Sequence, residues 1–362
     1  MSQIIKVDSN IFVNSDILNA EIKSIFWTSW ILLPLSNESI QYLQLNGARS
    51  NITLSDIPLF LQRDWYSSKL SCFLNICTHA LYPLVQGPER EKTIICKQHG
   101  RQFDHNGYGL RHKNLDTENI ERLVEFPVIE TKGFVYVCLD RTILLNVSHS
   151  WFANVLFTSI IPPTILSFLK PEKYVPSVAW IKQEVQGNWK QHIMNYLDDS
   201  HISYVHMAPG GLADIIDMKS SMTTVHNEYV QQIGYCKSPD QGFGSDIIPF
   251  NATGQRVFAL WFFIWPNLAV SIYSWGISLR LYMPDIQDPL KTYIYLYRLV
   301  WDEPKFTGYD EFLAERIGIE DYSAIARVAD ALKSPILPDF EIYPEIEKGI
   351  AWFYKKYLNI NK

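Results

Sequence analysis

Cysteine is scarce in this chain, with five residues among 362. An odd and sparse set does not build a disulfide framework and indicates a reducing compartment, where thiols stay free for metal binding. Cys72 and Cys138 lie in strand-like runs and fit small buried apolar residues. Basic residues are not in excess, because 32 Lys and Arg stand against 38 Asp and Glu, for a formal net charge of −6. Nucleic acid is therefore not an expected partner.

Targeting and membrane signals are also lacking. The N-terminus has no basic segment followed by an apolar stretch, so we expect a cytoplasmic protein without a secretory signal. The most apolar stretch, 151–169, reads WFANVLFTSIIPPTILSFL. Pro162 and Pro163 interrupt its centre and Asn154 lies inside it, which is atypical of a spanning helix. We expect a packed linker there and no membrane association.

The chain is long enough for two folded domains, with 47% hydrophobic and 19% charged residues. Short β-type runs separated by turn clusters predict a small antiparallel β unit over 27–145. A helical stretch at 190–207, further β-rich runs and helical periodicity at 309–333 and 345–358 predict an α+β second unit. We therefore divide the chain into an N-terminal segment, 1–26, a first domain, 27–145, and a second domain, 146–362.

The first constellation lies inside the β-rich unit and has the pattern C-x-H, sixteen residues, C-x-x-H. Its members are Cys77, His79, Cys96 and His99. The two offsets arise together by chance roughly once in 1,600 tries. Two thiolates and two imidazoles can close a tetrahedral zinc site, which is the alternative. Each Cys is paired with a following His, and each loop continues into turn residues. This order favours two loops that hold a 2Fe-2S cluster, with thiolates on one iron and imidazoles on the other.

The second constellation lies in the helical run 188–206, NWKQHIMNYLDDSHISYVH, and comprises Asp198, His201 and His206. Two His five positions apart diverge by about 140° around a regular helix, so they cannot bind one ion from it. We predict a π-type bulge or a break near Ile202 to Tyr204, because such distortions concentrate at functional sites.

Two His need a carboxylate to complete a facial triad, which leaves iron positions open. The best candidate is Asp321, and Glu320 and Asp330 are rivals. A structural alternative exists here too. If Glu320 and Asp321 begin a helix, their charges are explained by capping and by the helix dipole.

Together, these motifs resemble the catalytic (alpha) subunits of Rieske-type non-haem iron oxygenases. That family has the same Cys-His pairs, then NWK, then N-Y-L-D-x-x-H-x-x-x-x-H, and then a late E-D. The resemblance runs from about residue 27 to the C-terminal EIEKGIAWFYKKYL. It implies one 2Fe-2S Rieske cluster, held by Cys77, His79, Cys96 and His99.

The resemblance also implies one mononuclear Fe(II), with the ligands His201, His206 and Asp321. Asp198 matches the family's bridging carboxylate, which links a cluster His of a neighbouring subunit, here His99, to an iron-ligating His, here His201. Asn195 is retained and is expected near the iron. There are departures at positions that are not ligands, where the family often has Arg-Gly, Trp and Glu. They are Ala80-Leu81, Arg101 and Met194.

For the fold, the resemblance implies an antiparallel β Rieske domain followed by a helix-grip (START/Bet v 1-like) catalytic domain. It further implies a homotrimer, because cluster and iron are close only across a subunit boundary in this family. The resemblance also implies a separate NAD(P)H-dependent reductase that supplies electrons, with O2 and a small organic molecule as the substrates.

The substrate is expected from the branch that oxidises quaternary ammonium compounds, by hydroxylation or oxidative dealkylation. Alternating rings can present one strand face to a cation, although rings at such spacing also fit a core. They are Trp261, Phe263, Trp265, Tyr273 and Trp275. One alternative is a ring-hydroxylating dioxygenase of an aromatic substrate. Another is a Rieske electron-transfer protein with a ligand-binding domain.

Metal content tests these readings. We expect about three irons and two sulfides per chain, with an electron paramagnetic resonance signal of Rieske type after reduction. Total iron, sulfide and the spectrum of anaerobically purified protein measure this. Two irons would favour the electron carrier, and a colourless zinc protein would contradict both iron readings.

Overall fold

The computed structural model describes residues 4–110, 121–131, 134–142, 174–176, 180–238, 242, 254–301 and 308–360. The chain forms two compact units. The small unit is Ile25–Trp151, and the large unit combines Met1–Ser24 with Phe152–Lys362. The apolar stretch 151–169, for which we expect a packed linker, lies outside the described residues. Within the described ranges, no helix is both long enough and apolar enough to cross a membrane.

Antiparallel strands and helices make up both units. The helices are α1 Ser15–Glu21, α2 Asn37–Tyr42, α3 Trp189–Leu197, α4 Ile202–Val205, α5 Leu212–Ile215, α6 Gly308–Ala331 and α7 Lys348–Ile360. The strands of the first half are β1 Ile5–Val7, β2 Ile31–Leu32, β3 Ala48–Leu54, β4 Ile57–Arg63, β5 Leu70–Leu74, β6 Glu89–Arg90, β7 Ile94–Ile95, β8 Gln102–Phe103, β9 Glu125–Phe126, β10 Val128–Thr131 and β11 Phe134–Val137. Those of the second half are β12 Tyr174–Pro176, β13 Ile181–Gln186, β14 Met222–Val225, β15 Tyr229–Tyr235, β16 Val257–Ile264, β17 Leu268–Tyr273, β18 Gly276–Pro284, β19 Lys291–Trp301 and β20 Phe340–Ile342.

The small unit is built from short antiparallel sheets. One has the order β6-β3-β4-β5-β9, a second has β10-β11-β2, and β7 pairs with β8. Phe60 and Phe73 stack at 5.2 Å between ring centroids in its core. Cys72 and Cys138 are fully buried, as their strand-like surroundings predict. Burial raises the pKa of the Cys138 thiol to about 11, so this cysteine is chemically inert at neutral pH.

The large unit is an eight-stranded antiparallel sheet covered by helices. Its strand order is β12-β19-β18-β17-β16-β15-β14, and β13 also pairs with β19. The helix α3 packs against α6, α7 and β18, and α6 and α7 also contact β13 and β14. The α+β expectation is thus confirmed, and helices lie close to where the 3.6-residue periodicity predicts them.

The first residues of the chain are part of the large unit, through a buried ion pair. The Lys190 Nζ lies 2.6 Å from Glu21 Oε1, and both side chains are fully buried. Glu21 also accepts hydrogen bonds from the Trp189 indole at 2.8 Å and the Tyr357 hydroxyl at 2.6 Å. Burial lowers the pKa of Lys190 to about 8, although the Glu21 carboxylate opposes that shift. Strand β1 pairs with β20 in the same unit.

Removing one partner of this pair should destabilise the fold strongly. We expect Lys190→Met to lower the free energy of unfolding by about 3–5 kcal/mol, because Glu21 then stays buried without its counter-charge. Lys356→Met is the matched control, since Lys356 and Glu228 pair at 3.0 Å with both side chains partly exposed. It should cost less than about 1 kcal/mol. Urea unfolding measures both, and equal losses would contradict the assignment.

Candidate metal centres and the adjoining cavity

The two Cys-His loops of the small unit have the same backbone conformation. In each, the Cys N–H donates to the carbonyl five residues on, and the N–H four residues on donates back to the Cys carbonyl. The residue four positions after Cys77 is Leu81, with φ 61°, and the residue four positions after Cys96 is Gly100, with φ 71°. Gly adopts this left-handed conformation without cost, whereas Leu81 is strained by about 1–2 kcal/mol. The loops are therefore conformational equivalents despite their different sequences.

The four candidate ligands of these loops differ in burial. Cys77 and Cys96 are buried, and His79 and His99 are exposed, with ring centroids 4.8 Å apart. Burial and the adjacent Cys96 thiol raise the pKa of Cys77. Tetrahedral zinc would bring its ligand atoms to within about 3.3–3.8 Å of one another. Among the described residues, the donors grouped closely enough to hold one metal ion are His201, His206 and Asp321, and the two loops supply no such group. A two-metal cluster, with buried thiolates and exposed imidazoles, fits this arrangement better than one zinc ion.

In the large unit, the helical conformation is interrupted after α3, and this interruption brings two histidines together. Asn188 caps the start of helix α3, and its side chain accepts a hydrogen bond from the Lys190 N–H at 3.0 Å. It ends at Asp198, which is extended at φ −91° and ψ 119°. The Gln232 side chain donates to the Leu197 carbonyl at 3.1 Å and so occupies one acceptor at this end.

The position of this break corrects the sequence analysis. A distortion is predicted near Ile202 to Tyr204, but those residues form the regular turn α4. The chain instead leaves the helix at Asp198, four residues earlier, and turns over 199–201. The two histidines can still bind one ion, because 198–206 is not a continuous α-helix and the centroids of the His201 and His206 rings lie 5.2 Å apart.

The two imidazoles converge on one carboxylate. The Nε2 atoms of His201 and His206 lie 3.4 and 3.1 Å from Asp321 Oδ1. One ligand atom from each residue lies within 4.8 Å of the other two. Asp321 Oδ1 is buried without a hydrogen-bond partner. Three donors that approach closely, without hydrogen-bonding geometry at that oxygen, can hold a metal ion and leave part of its coordination open.

Electrostatic interactions among the triad residues and Asp198 outweigh burial in setting the pKa values of His201 and Asp321. Burial opposes ionisation of His201, but the Asp198 and Asp321 carboxylates outweigh it and raise the pKa of His201 to about 9. Burial likewise opposes ionisation of Asp321, yet His201 and His206 hold the pKa of its carboxyl well below the ordinary value. Two imidazoles beside a firmly ionised carboxylate form a donor set suited to a divalent cation.

The outer nitrogen of each imidazole faces a second carboxylate. Glu320 Oε2 lies 2.6 Å from His206 Nδ1, and Asp198 Oδ2 lies 3.7 Å from His201 Nδ1. Arg316 binds Glu320 at 3.0 Å and donates to the Ala208 carbonyl at 2.8 Å. Such partners orient an imidazole so that its other nitrogen can bind metal. Arg316 thus connects α6 to the loop that follows His206.

The rivals of Asp321 have other surroundings. Glu320 faces the outer nitrogen of His206 and not the point where the triad converges. Asp330 is exposed and pairs with Lys333 at 2.7 Å. Glu320 and Asp321 lie in the middle of α6, which begins at Gly308, so the helix-start explanation of their charges is wrong.

A cavity adjoins the triad. Its wall includes His201, His206, Asp321, Asn195, Tyr196, Asp198, Asp199, Ile202, Leu212, Gln232, Trp261, Tyr273, Arg280 and Ile317. Burial and the neighbouring Asp198 carboxylate raise the pKa of Asp199. Asn195 lies on the wall of this cavity. Arg280, Gln232 and Asp199 are absent from the candidates named from sequence, because a lone residue of these types carries no motif.

Three of the five candidate substrate rings lie at this cavity or beside it. Tyr273 and Trp275 stack at 5.0 Å with an interplanar angle of 6°. The Trp261 indole N–H donates to the Tyr273 hydroxyl at 3.1 Å. Gly234 makes room for Trp261, because a Cβ at this position would lie 2.7 Å from the indole ring. Trp275 lines a second cavity, which shares Tyr273, Arg280 and Ile317 with the first.

The other two rings correct the sequence analysis. Phe263 contacts Trp352 and Phe353 of α7 at 6.3 and 6.1 Å between centroids. Trp265 packs on Phe353 at 5.5 Å. Neither residue lines the cavity beside the triad. Strand alternation predicts a shared face correctly, but it does not show which helix covers which end of that face.

Two family models match the chain. Residues 172–361 match the ring hydroxylating alpha subunit (catalytic domain), and residues 36–123 match the Rieske 2Fe-2S domain. Among curated proteins, the chloroplastic choline monooxygenase of Spinacia oleracea is 23% identical over 349 residues. That alignment covers 92% of this chain and 73% of the relative.

Solved structures have the same fold. A quaternary ammonium Rieske monooxygenase, described for carnitine oxidation and inter-subunit electron transfer, superposes with a TM-score of 0.72 and 20% identity. The match covers 99% of this chain and 95% of that one. Naphthalene 1,2-dioxygenase from Rhodococcus sp., bound to indole, gives a TM-score of 0.67 at 15% identity, covering 98% and 94%.

The His206–Glu320 contact predicts a metal-affinity effect. We expect Glu320→Gln to weaken Fe(II) binding at the triad by about 10–100-fold, because the imidazole loses its charged orienting partner. Glu315→Gln, on the exposed face of α6, is the matched control and should leave affinity unchanged. Anaerobic Fe(II) titration of protein stripped of its weakly held iron measures this. Equal affinities in the two variants would contradict the role of Glu320.

Proposed function

The chain belongs to the ring-hydroxylating alpha-subunit family, and on that premise we propose that it is the oxygenase component of a Rieske system acting on a quaternary ammonium compound. The resemblance seen in the sequence is confirmed, as are the Rieske domain and the catalytic domain that follows it. The protein is an oxidoreductase that carries one 2Fe-2S cluster and one mononuclear iron, and it uses O2, a small organic substrate and electrons from a reductase.

We assign the ligands by residue. The cluster is bound by Cys77, His79, Cys96 and His99, and the mononuclear iron by His201, His206 and Asp321. The domain limits proposed from sequence, 27–145 and 146–362, assign one centre to each domain. The observation that carries the function is the triad, because an electron carrier with a ligand-binding domain has no use for a second metal centre.

When bound, the two groups supply one-electron transfer and oxygen activation. The protein's own residues prepare the site for them. Glu320 hydrogen-bonds the outer nitrogen of His206 and so sets the orientation and tautomer of that imidazole, and the Asp198 carboxylate faces the outer nitrogen of His201. Ile202, Leu212 and Ile317 supply apolar cavity wall, which restricts water near the triad. Asn195 adds a polar amide beside the triad.

We propose a homotrimer in which electrons cross a subunit boundary. His99 is exposed on the small unit, and the Asp198 side chain is 23% exposed on the large unit. A neighbouring copy can therefore present its His99 to Asp198, which contacts His201. A separate NAD(P)H-dependent reductase reduces the cluster. The sparse cysteines support a cytoplasmic location.

The relatives support the substrate class. Choline monooxygenase and the quaternary ammonium monooxygenase both act on methylated ammonium compounds by name. Trp261 and Tyr273 provide aromatic surface at the cavity, which suits a quaternary cation. The proposed reaction inserts one oxygen atom of O2 into a C–H bond of an N-methyl group and reduces the other to water with two electrons from the reductase and two protons. The N-hydroxymethyl product then releases formaldehyde and a proton, which leaves the tertiary amine. The second candidate is dioxygenation of an aromatic ring, which the same wall accommodates by stacking.

The bridging role predicts a separation between metal content and turnover. Asp198→Asn should keep about three irons per chain, yet product formed on mixing reduced protein with O2 and substrate should fall by about 100-fold or more. The reason is that the variant lacks the charged carboxylate that links His99 of a neighbouring copy to His201 and so carries the electron transfer.

Asp214→Asn, an exposed carboxylate of α5, is the matched control and should retain activity. Single-turnover product yield and iron content are measured on the same samples. An active Asp198→Asn protein would contradict the electron route, and loss of iron from it would show that Asp198 serves metal binding instead.

A further inference from the structure

Arg280 is the one charged residue of strand β18, whose sequence is GISLRLYMP. Its Nε is sealed from solvent and has no hydrogen-bond partner. The buried arginines Arg49 and Arg63 are both compensated, because Arg49 binds Glu89 at 3.1 Å and Arg63 binds Glu130 at 2.6 Å. No carboxylate of the described residues forms such an ion pair with Arg280. A guanidinium stays protonated in proteins, so Arg280 is a positive charge that no described carboxylate pairs.

The groups around Arg280 do not neutralise it. Its electrostatic neighbours are the phenols of Tyr322, Tyr282, Tyr273 and Tyr196, and Tyr322 also hydrogen-bonds the Arg280 side chain. Burial raises the pKa of Tyr282 well above its ordinary value, so that phenol is neutral near pH 7. Taking a charge out of water without a counter-charge is costly, and a bound carboxylate would supply that counter-charge here.

The location of Arg280 decides which ligand this is. Arg280, Tyr273 and Ile317 form the wall shared by the cavity beside the triad and the second cavity. Trp275 and Arg298 also line the second cavity. A molecule whose reacting end lies at the triad therefore meets positive charge farther along the same continuous wall.

We propose that Arg280 binds a carboxylate of the substrate, which makes the substrate an organic acid or a zwitterion and not a simple cation. This inference rests on the proposed function and narrows it. Within the quaternary ammonium class it selects betaine-type compounds, which carry both charges, over amino alcohols. The carboxylate neutralises the guanidinium, and the rings of Trp261 and Tyr273 receive the methylated or apolar part.

Binding of matched ligand pairs to the iron-loaded protein without O2 tests this. The pairs are gamma-butyrobetaine with its methyl ester, and benzoate with benzamide. Quenching of tryptophan fluorescence reports binding, because Trp261 and Trp275 lie at the two cavities. We expect at least one acid to bind about 10–100-fold more tightly than its neutral partner, as a charge-assisted hydrogen bond implies.

Arg280→Gln should abolish that preference, and Arg280→Lys should keep part of it, because the charge remains and the planar fork is lost. Arg327→Gln, on the exposed face of α6, is the matched control and should behave as the unmodified protein. Circular dichroism and iron content verify folding. Should Arg280→Gln not fold, the comparison of acid with neutral partner in the unmodified protein still decides.

The inference is overturned if no acid is preferred in the unmodified protein, or if Arg280→Gln keeps the full preference. Its failure is distinct from failure of the proposed function. A protein that oxidises choline and acids equally well would refute only the carboxylate site. One that prefers acids through Arg280 but never forms product with O2 would refute only the oxygenase.

Discussion

A single extended residue, Asp198, determines whether this chain has a metal centre. A helix that continued from α3 would keep His201 and His206 on different faces, about 140° apart. Because the backbone leaves the helix at Asp198 and resumes a short turn at Ile202, both imidazoles direct Nε2 toward Asp321. The surrounding sheet and α6 hold this geometry, but they cannot create it without the break.

Groups of opposite charge alternate outward from the triad. Two imidazoles meet one carboxylate inside, each imidazole meets another carboxylate outside, and Arg316 compensates Glu320. This chain of contacts joins α6 to the loop after α4, so the triad and the cavity wall share the same supports. Arg280 is not part of this network, since no carboxylate of the described residues forms an ion pair with it.

Local patterns were predictable and long-range ones were not. The Cys77 and Cys96 loops follow from spacing, because each is a short turn with its ligands close in sequence. The histidine spacing predicts the break after α3 but places it four residues too late, since Gln232 from a distant strand contributes to the end of the helix. The contact of Glu320 with His206, and the cover of Phe263 by α7, depend on how α6 and α7 pack on the sheet, and that packing leaves no trace in local periodicity.

The large unit contains both ends of the chain, which constrains how the protein is made. Glu21 and Tyr357 are hydrogen-bonded although 336 positions separate them in the sequence, and β1 pairs with β20 across a similar separation. At roughly 5–20 residues per second, a ribosome needs about 20–70 s to span that interval. The small unit, Ile25–Trp151, is continuous and can fold in the meantime. The order of synthesis therefore favours assembly of the cluster loops first, and closure of the iron triad only after α6 has emerged.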